Sequence, residues 1–209
     1  YFAASTVMPD LDAYNGMYIH NFYLYRNTNS GQFEIIPWDK DNTFGGAMIN
    51  TIIEQGGSPY TIYSWDPFYF ENDELRPLFS QLMTIPLYNK IYSAHIRTII
   101  EEIYNVENFQ GLAYGIQDFI EIYADNDPNL FLPFTFGDYF QFNVDNYLTT
   151  FGGGYWCGIT STISPRLDYL LSHSEIAQTA PVIYNVVQEN ETPVWGEDVI
   201  IQAEVEGAV

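Results

Sequence analysis

His20-Asn21-Phe22-Tyr23-Leu24-Tyr25-Arg26, then Asn27-Thr28-Asn29-Ser30-Gly31-Gln32, then Phe33-Glu34-Ile35-Ile36-Pro37-Trp38-Asp39-Lys40-Asp41-Asn42-Thr43-Phe44-Gly45 is the stretch on which the fold turns. Asn21 to Arg26 and Phe33 to Trp38 are short runs rich in aromatic and β-branched residues, the types that suit a pleated surface. Between them lie residues that tolerate left-handed backbone, so the pattern predicts a β-hairpin. Pro37 cannot extend a paired strand inward, and Gly45-Gly46 frees the backbone beyond it. The acidic run Trp38 to Asn42 is therefore expected in an irregular loop at the hairpin's end.

Downstream the period changes. From Ala47 to Asp73 no period is sustained and Gly56-Gly57-Ser58-Pro59 interrupts the run, which predicts a long loop with tyrosines folded onto the core. Leu75-Leu78-Phe79-Leu82 and Tyr88-Ile91-Tyr92-His95-Ile99-Ile103 recur at three and four and predict two helices. Phe109 to Tyr123 predicts a third, stopped by Asp125-Asn126-Asp127-Pro128. Phe140 to Leu148 is a weaker helix candidate, Gly152-Gly153-Gly154 a flexible break, and Ser164-Pro165 the expected start of a helix over Arg166 to His173. Val182 to Val187 and Val199 to Val205 then read as two strands. A lone hairpin is marginal in water, so residues 179–209 are expected to begin a β-sandwich of which the remainder is missing.

Composition narrows the partners. Only 6 Lys and Arg face 27 Asp and Glu, a formal charge of −21, so a phosphate backbone is repelled and nucleic acid is excluded as a partner. A divalent cation, a basic substrate or a salty setting suits such a surface. The apolar share of 47% and aromatic share of 18% supply a core that disordered chains lack. No run approaches the ~20 apolar residues of a membrane span. The single cysteine, Cys157, rules out an internal disulfide and reads as a small buried hydrophobe. Neither a basic-apolar leader nor a natural start is visible at Tyr1, so the chain reads as part of a longer protein.

Chemistry concentrates in the first 45 residues, where the hairpin would bring Asp10, Asp12, Asn15, His20 and Asn21 beside Asp39, Asp41 and Asn42. Carboxylates with amides, and neither cysteines nor clustered histidines, suit Mg²⁺, Mn²⁺ or Ca²⁺ better than zinc. An EF-hand is excluded: counted from Asp39, its sixth-position glycine falls on Phe44 and its twelfth-position glutamate on Asn50. An Asp-bearing loop, an Asn, a hairpin and a second Asp followed by Phe-Gly form instead an arrangement used in phosphoryl transfer, with one Asp for the acceptor hydroxyl and an Asp–Asn pair for metal. A merely solvated acidic turn would show the same residues.

The stretch His20 to Arg26 followed by Phe33 to Gly45 resembles the signature of the CotH family of spore-coat and secreted kinases. The likeness continues through Arg76-Pro77-Leu78-Phe79-Ser80-Gln81-Leu82-Met83 and the Tyr88 to Tyr104 helix to Arg166-Leu167-Asp168-Tyr169-Leu170, covering residues 1 to about 175. The resemblance implies an α+β chain whose residues 1–178 form the mainly helical, C-terminal-lobe-like part of an atypical protein-kinase fold with a β-hairpin, ahead of an Ig-like segment at 179–209. It implies phosphate transfer from ATP to protein serine or threonine, with Mg²⁺ or Mn²⁺, in a secreted or cell-surface protein. By position it makes Asp12 the catalytic aspartate, with Asp10 as the alternative register, Asn21 and Asp39 the groups that hold metal and nucleotide, and Asp41 a further metal ligand. The family's nucleotide lobe and its phosphate-holding lysine would lie upstream, since neither Lys40 nor Lys90 matches that lysine, so residues 1–209 alone are expected to be inactive. The alternative is a non-catalytic secreted or surface module whose acidic loop binds Ca²⁺ or is purely structural.

Other conspicuous residues have simpler readings. His20 is expected to be packed or hydrogen-bonded, His95 to be a core histidine, and His173 to meet the carbonyls that end a helix. Arg166 is expected to pair with a carboxylate. Tyr88, Tyr92, Tyr104 and Tyr123 fall at helical spacing and are expected in the core.

Overall fold

The computed structural model describes residues 1–128, 144–146, 149–151, 154–178, 181–190 and 192–207. They form two units, Tyr1–Ile176 and Ala177–Val209. In the first, helix α1 (Phe2–Val7) precedes strands β1 (Phe22–Arg26) and β2 (Phe33–Pro37), a short 3₁₀ turn at Thr43–Gly45 and helix α2 (Met48–Glu54). A second 3₁₀ turn (Pro59–Ile62) leads to α3 (Pro77–Met83), α4 (Pro86–Glu102), α5 (Val106–Ala124), strands β3 (Thr149–Phe151) and β4 (Gly154–Trp156), and α6 (Ile159–Ser172). Mixed helices and small antiparallel sheets are what the α+β expectation requires.

The hairpin forms as expected, with Tyr23 opposite Ile36 and Tyr25 opposite Glu34. Its turn is built by Asn27, whose side-chain oxygen accepts from the amides of Asn29 and Ser30. Helices α3 and α4 each begin on a proline, where the missing N–H costs nothing. Their inward faces supply Phe79, Met83, Tyr92, Ile96 and Ile100 to a core shared with Val7, Tyr14, Tyr104, Ile163 and Leu170. Leu11, Met48, Ile49, Ile52 and Ile62 make a second cluster under α2.

Several expectations are corrected. The region 47–73 is not one long loop: Met48, Ile49 and Ile52 lie on one buried side of α2, a helix of 7 residues, too short to establish a period. Helix α6 begins at Ile159 and carries Pro165 inside it, because Thr162 and Ser161 hydroxyls bond the Gly158 carbonyl and anchor an earlier start. His95 is exposed rather than in the core. Tyr92 and Tyr104 are buried, but Tyr88 and Tyr123 are exposed at 44% and 73%, since the outer side of each helix carries apolar residues too. Gly154 opens β4, whose Tyr155 amide is accepted by the Asn50 side chain of α2. The weak helix candidate 140–148 and the break at 152–153 lie largely outside the described residues.

Arg166 departs furthest from expectation. It is fully buried, and its guanidinium donates not to a carboxylate but to the backbone carbonyls of Tyr63 at 3.1 Å, Trp65 at 2.7 Å and Thr6 at 2.8 Å. Burial lowers its pKa to about 10, which still leaves it charged at neutral pH. Three carbonyl dipoles from two segments thus solvate one internal cation. The planar fork makes this possible, and an ammonium cannot reproduce it.

In the second unit, β5 (Val182–Gln188) pairs antiparallel with β6 (Ile201–Glu206), with a register shift between Tyr184 and Val187 where Asn185 takes a positive φ of 49°. Every residue of both strands is exposed.

Two outcomes are expected. Arg166→Leu orphans three buried carbonyls and should cost about 3–5 kcal/mol, with Arg166→Lys recovering only part; an unchanged urea midpoint, followed by tryptophan fluorescence, would contradict the clamp. Backbone amides of β5 and β6 should exchange with deuterium faster than those in the middle of α4, because no apolar face of the hairpin is covered; equal protection would refute that.

Candidate functional site

The site is assembled by backbone before any side chain meets. The amide of Phe44 donates to the Met8 carbonyl at 2.9 Å and that of Gly45 to the Pro9 carbonyl at 3.2 Å, so the acidic loop lies against the segment bearing Asp10 and Asp12. Gly45 sits at φ 93°, and a Cβ there would come within 2.8 Å of Ile62. At the hairpin's end the Trp38 amide donates to the Asn21 carbonyl at 3.0 Å, and Asp39 follows it, two residues past the end of β2. Asn21, Asp39 and Phe44 all take positive φ, at 59°, 48° and 62°. Asn and Asp accept that region with little strain, whereas a phenylalanine there is a genuine outlier. Phe44 is held by its ring, stacked on Tyr104 and edge-on to Phe109.

The two aspartates of the first segment have different surroundings. Asp10 is buried and paired with Lys40 Nζ at 3.0 Å. Burial raises its pKa, an effect that Lys40 opposes. Lys40 also reaches the Tyr1 hydroxyl at 3.4 Å, while Lys90 is exposed on α4. Asp12, only 9% exposed, faces amides instead. Its Oδ2 accepts from Asn21 Nδ2 at 2.8 Å and from Asn42 Nδ2 at 3.2 Å. Its Oδ1 is buried and accepts no hydrogen bond; His20 Nδ1 lies 3.4 Å away. The His20 ring is largely exposed and stacks on Tyr18, in keeping with a supporting role.

Of the residues singled out from sequence, Asp12 and Asn21 are in direct contact. Asn21 commits its amide nitrogen to Asp12, which turns its carbonyl oxygen into the group that could meet a cation. Asp39 and Asp41 are exposed, and neither makes a side-chain hydrogen bond or ion pair among the described residues. Among those residues no three His, Cys, Asp or Glu side chains gather closely enough to hold a metal by themselves. Any cation here would need the amide oxygen as well. Sequence reasoning grouped Asn42 with this cluster but gave it no role; nothing in its spacing tells that it reaches Asp12. Arg76, quoted only for its likeness, clamps the other side: buried, it pairs with Asp73 and donates to the carbonyls of Gly16 at 2.6 Å and Met17 at 2.9 Å.

Compared with known proteins, residues 1–151 match the family described as CotH kinase protein. No curated protein and no solved structure matches the chain significantly.

Cys157 lies behind the site, its Sγ donating to the Phe44 carbonyl at 2.9 Å. Burial raises its pKa to about 11. At pH 8 roughly one thiol in a thousand is then thiolate, so Cys157 should resist alkylation in the folded protein and react once urea unfolds it. Rapid labelling of the folded chain would contradict this.

Proposed function

The chain belongs to the CotH kinase protein family, and on that premise we propose that it transfers the terminal phosphate of ATP to serine or threonine hydroxyls of a protein, with Mg²⁺ or Mn²⁺. The observation that carries the reading is the contact of Asn21 with Asp12 at the hairpin's opening, with the exposed Asp39 two residues past the strand that closes it. An acceptor-facing Asp joined to an Asn, and a second Asp across a hairpin, is the donor set this chemistry needs. The donor types fit a hard cation: the Asn21 carbonyl and the Asp39 carboxylate, with Asp41 in reserve, offer only oxygen. Bound there, such an ion would neutralise charge on the nucleotide phosphates. Asp12 receives the acceptor's proton. Asp10, engaged with Lys40, is poorly placed for that task, which favours Asp12 as the register. A secreted or cell-surface setting, where salt screens a charge of −21, completes the proposal.

A Ca²⁺-binding or structural loop is the competing reading, favoured by the exposure of Asp39 and Asp41. In the full-length protein, Asp39→Asn should weaken metal-dependent nucleotide binding and phosphotransfer together. Asp12→Asn should keep nucleotide binding and lower turnover by roughly 10²–10⁴-fold. Wild-type turnover in both variants, with stabilisation by Ca²⁺ and none by nucleotide, would establish the competing reading instead.

A further inference from the structure

We infer that Asn42 is a positioning residue for Asp12: with Asn21 it occupies Oδ2, so that Oδ1 alone is left to meet the acceptor hydroxyl. The inference rests on the phosphotransfer reading and adds to it which oxygen works and which residue fixes it.

Three observations carry it. First, the two amide donors converge on one oxygen of the carboxylate, at 2.8 and 3.2 Å, while the other oxygen, itself buried, accepts none. A buried carboxylate oxygen without a donor is costly unless it has a task. Second, Asn42 is anchored at its other end. Its Oδ1 accepts from the Ala47 amide, the N-cap position of α2, at 2.9 Å, which fixes the orientation of the amide and aims Nδ2 at Asp12. Third, the backbone is shaped around that side chain. Gly46 takes φ 41°, and a Cβ there would stand 2.7 Å from Asn42 Oδ1 and 2.6 Å from its Cα. The anchor therefore needs glycine at the next turn.

In the reaction the hydroxyl oxygen of the acceptor forms its bond to phosphorus as the bond from phosphorus to the bridging oxygen of ATP breaks, its electron pair leaving with ADP. The hydroxyl proton passes to Asp12 Oδ1. The His20 ring, 3.4 Å from that oxygen, is the group an incoming hydroxyl displaces. Held through Oδ2, the carboxylate cannot rotate its free oxygen away.

The test uses the full-length protein and Asn42→Asp, which keeps an acceptor for the Ala47 amide but replaces the donor beside Asp12 with a like charge. It should lower kcat by about 10- to 100-fold with KM for ATP within about twofold, and should have no further effect in an Asp12→Asn background. Wild-type kcat in Asn42→Asp, with Asp12→Asn inactive, would overturn the inference and leave the phosphotransfer reading standing; full activity of Asp12→Asn would overturn both. A second measurement does not depend on activity or on the folding of Asn42→Asp. In the ¹⁵N-labelled protein the side-chain amide resonances of Asn42 should move on Asp12→Ala while backbone resonances of α4 stay in place. Unmoved Asn42 side-chain resonances would overturn the assignment.

Discussion

The guanidinium of Arg166, donating to the carbonyls of Thr6, Tyr63 and Trp65, is the contact on which the first unit depends. It ties the end of α1 and the segment after the second 3₁₀ turn to a helix far along the chain. Thr6 passes the constraint on: its hydroxyl meets the Tyr92 hydroxyl at 2.7 Å and accepts from Asn15 Nδ2 at 3.0 Å, while Tyr92 donates to the Pro67 carbonyl. Arg76 closes the other end through Gly16 and Met17. The irregular segment that carries Asp10 and Asp12 is thus fastened on both sides by buried arginines. A site on irregular backbone needs that kind of support, because no helix or strand ladder fixes its geometry.

How much of this was legible in the sequence depended on the kind of signal. The hairpin Phe22–Pro37 and helices α4 and α5 follow from period and turn chemistry, which are local and repeat often enough to be seen. Helix α2 did not, since 7 residues give fewer than two full turns, and Pro165 drew the start of α6 too late. Spacing marked Tyr88 and His95 as one stripe with Tyr92 on α4, and Tyr123 as part of a stripe on α5, but which part of a stripe is covered depends on packing. Helix α5 makes the point most plainly: Leu112, Ile116, Phe119 and Tyr123 recur at helical spacing and all are exposed. The partners of Arg166 had no signature at all, because backbone carbonyls look alike in every sequence.

At the site the same division holds. That Asp12 and Asn21 meet, and that Asp39 follows the strand paired with the one after Asn21, could be read from a hairpin bringing its ends together. That Lys40 is spent on Asp10, and that Asn42 bridges Asp12 to the start of α2, could not. Both contacts depend on the positive-φ turns at Asp39 and Phe44, which redirect the chain between them. Strain of that sort survives only where surrounding contacts over-determine it. Phe44 has them on every side, from Met8, Tyr104, Phe109 and Cys157.

The arginine clamp also separates the frame from the surface in how each answers to its medium. Carbonyl oxygens neither titrate near neutral pH nor attract counter-ions as carboxylates do. A cation held by three of them keeps its partners when acid neutralises the surface carboxyl groups or when brine screens them. Had Arg166 been held by a carboxylate, as Arg76 is by Asp73, its clamp would have answered to the same conditions that govern the exterior. Solvated by peptide dipoles, the frame is free to sit beneath an electrostatic surface that changes with every shift of salt and acidity.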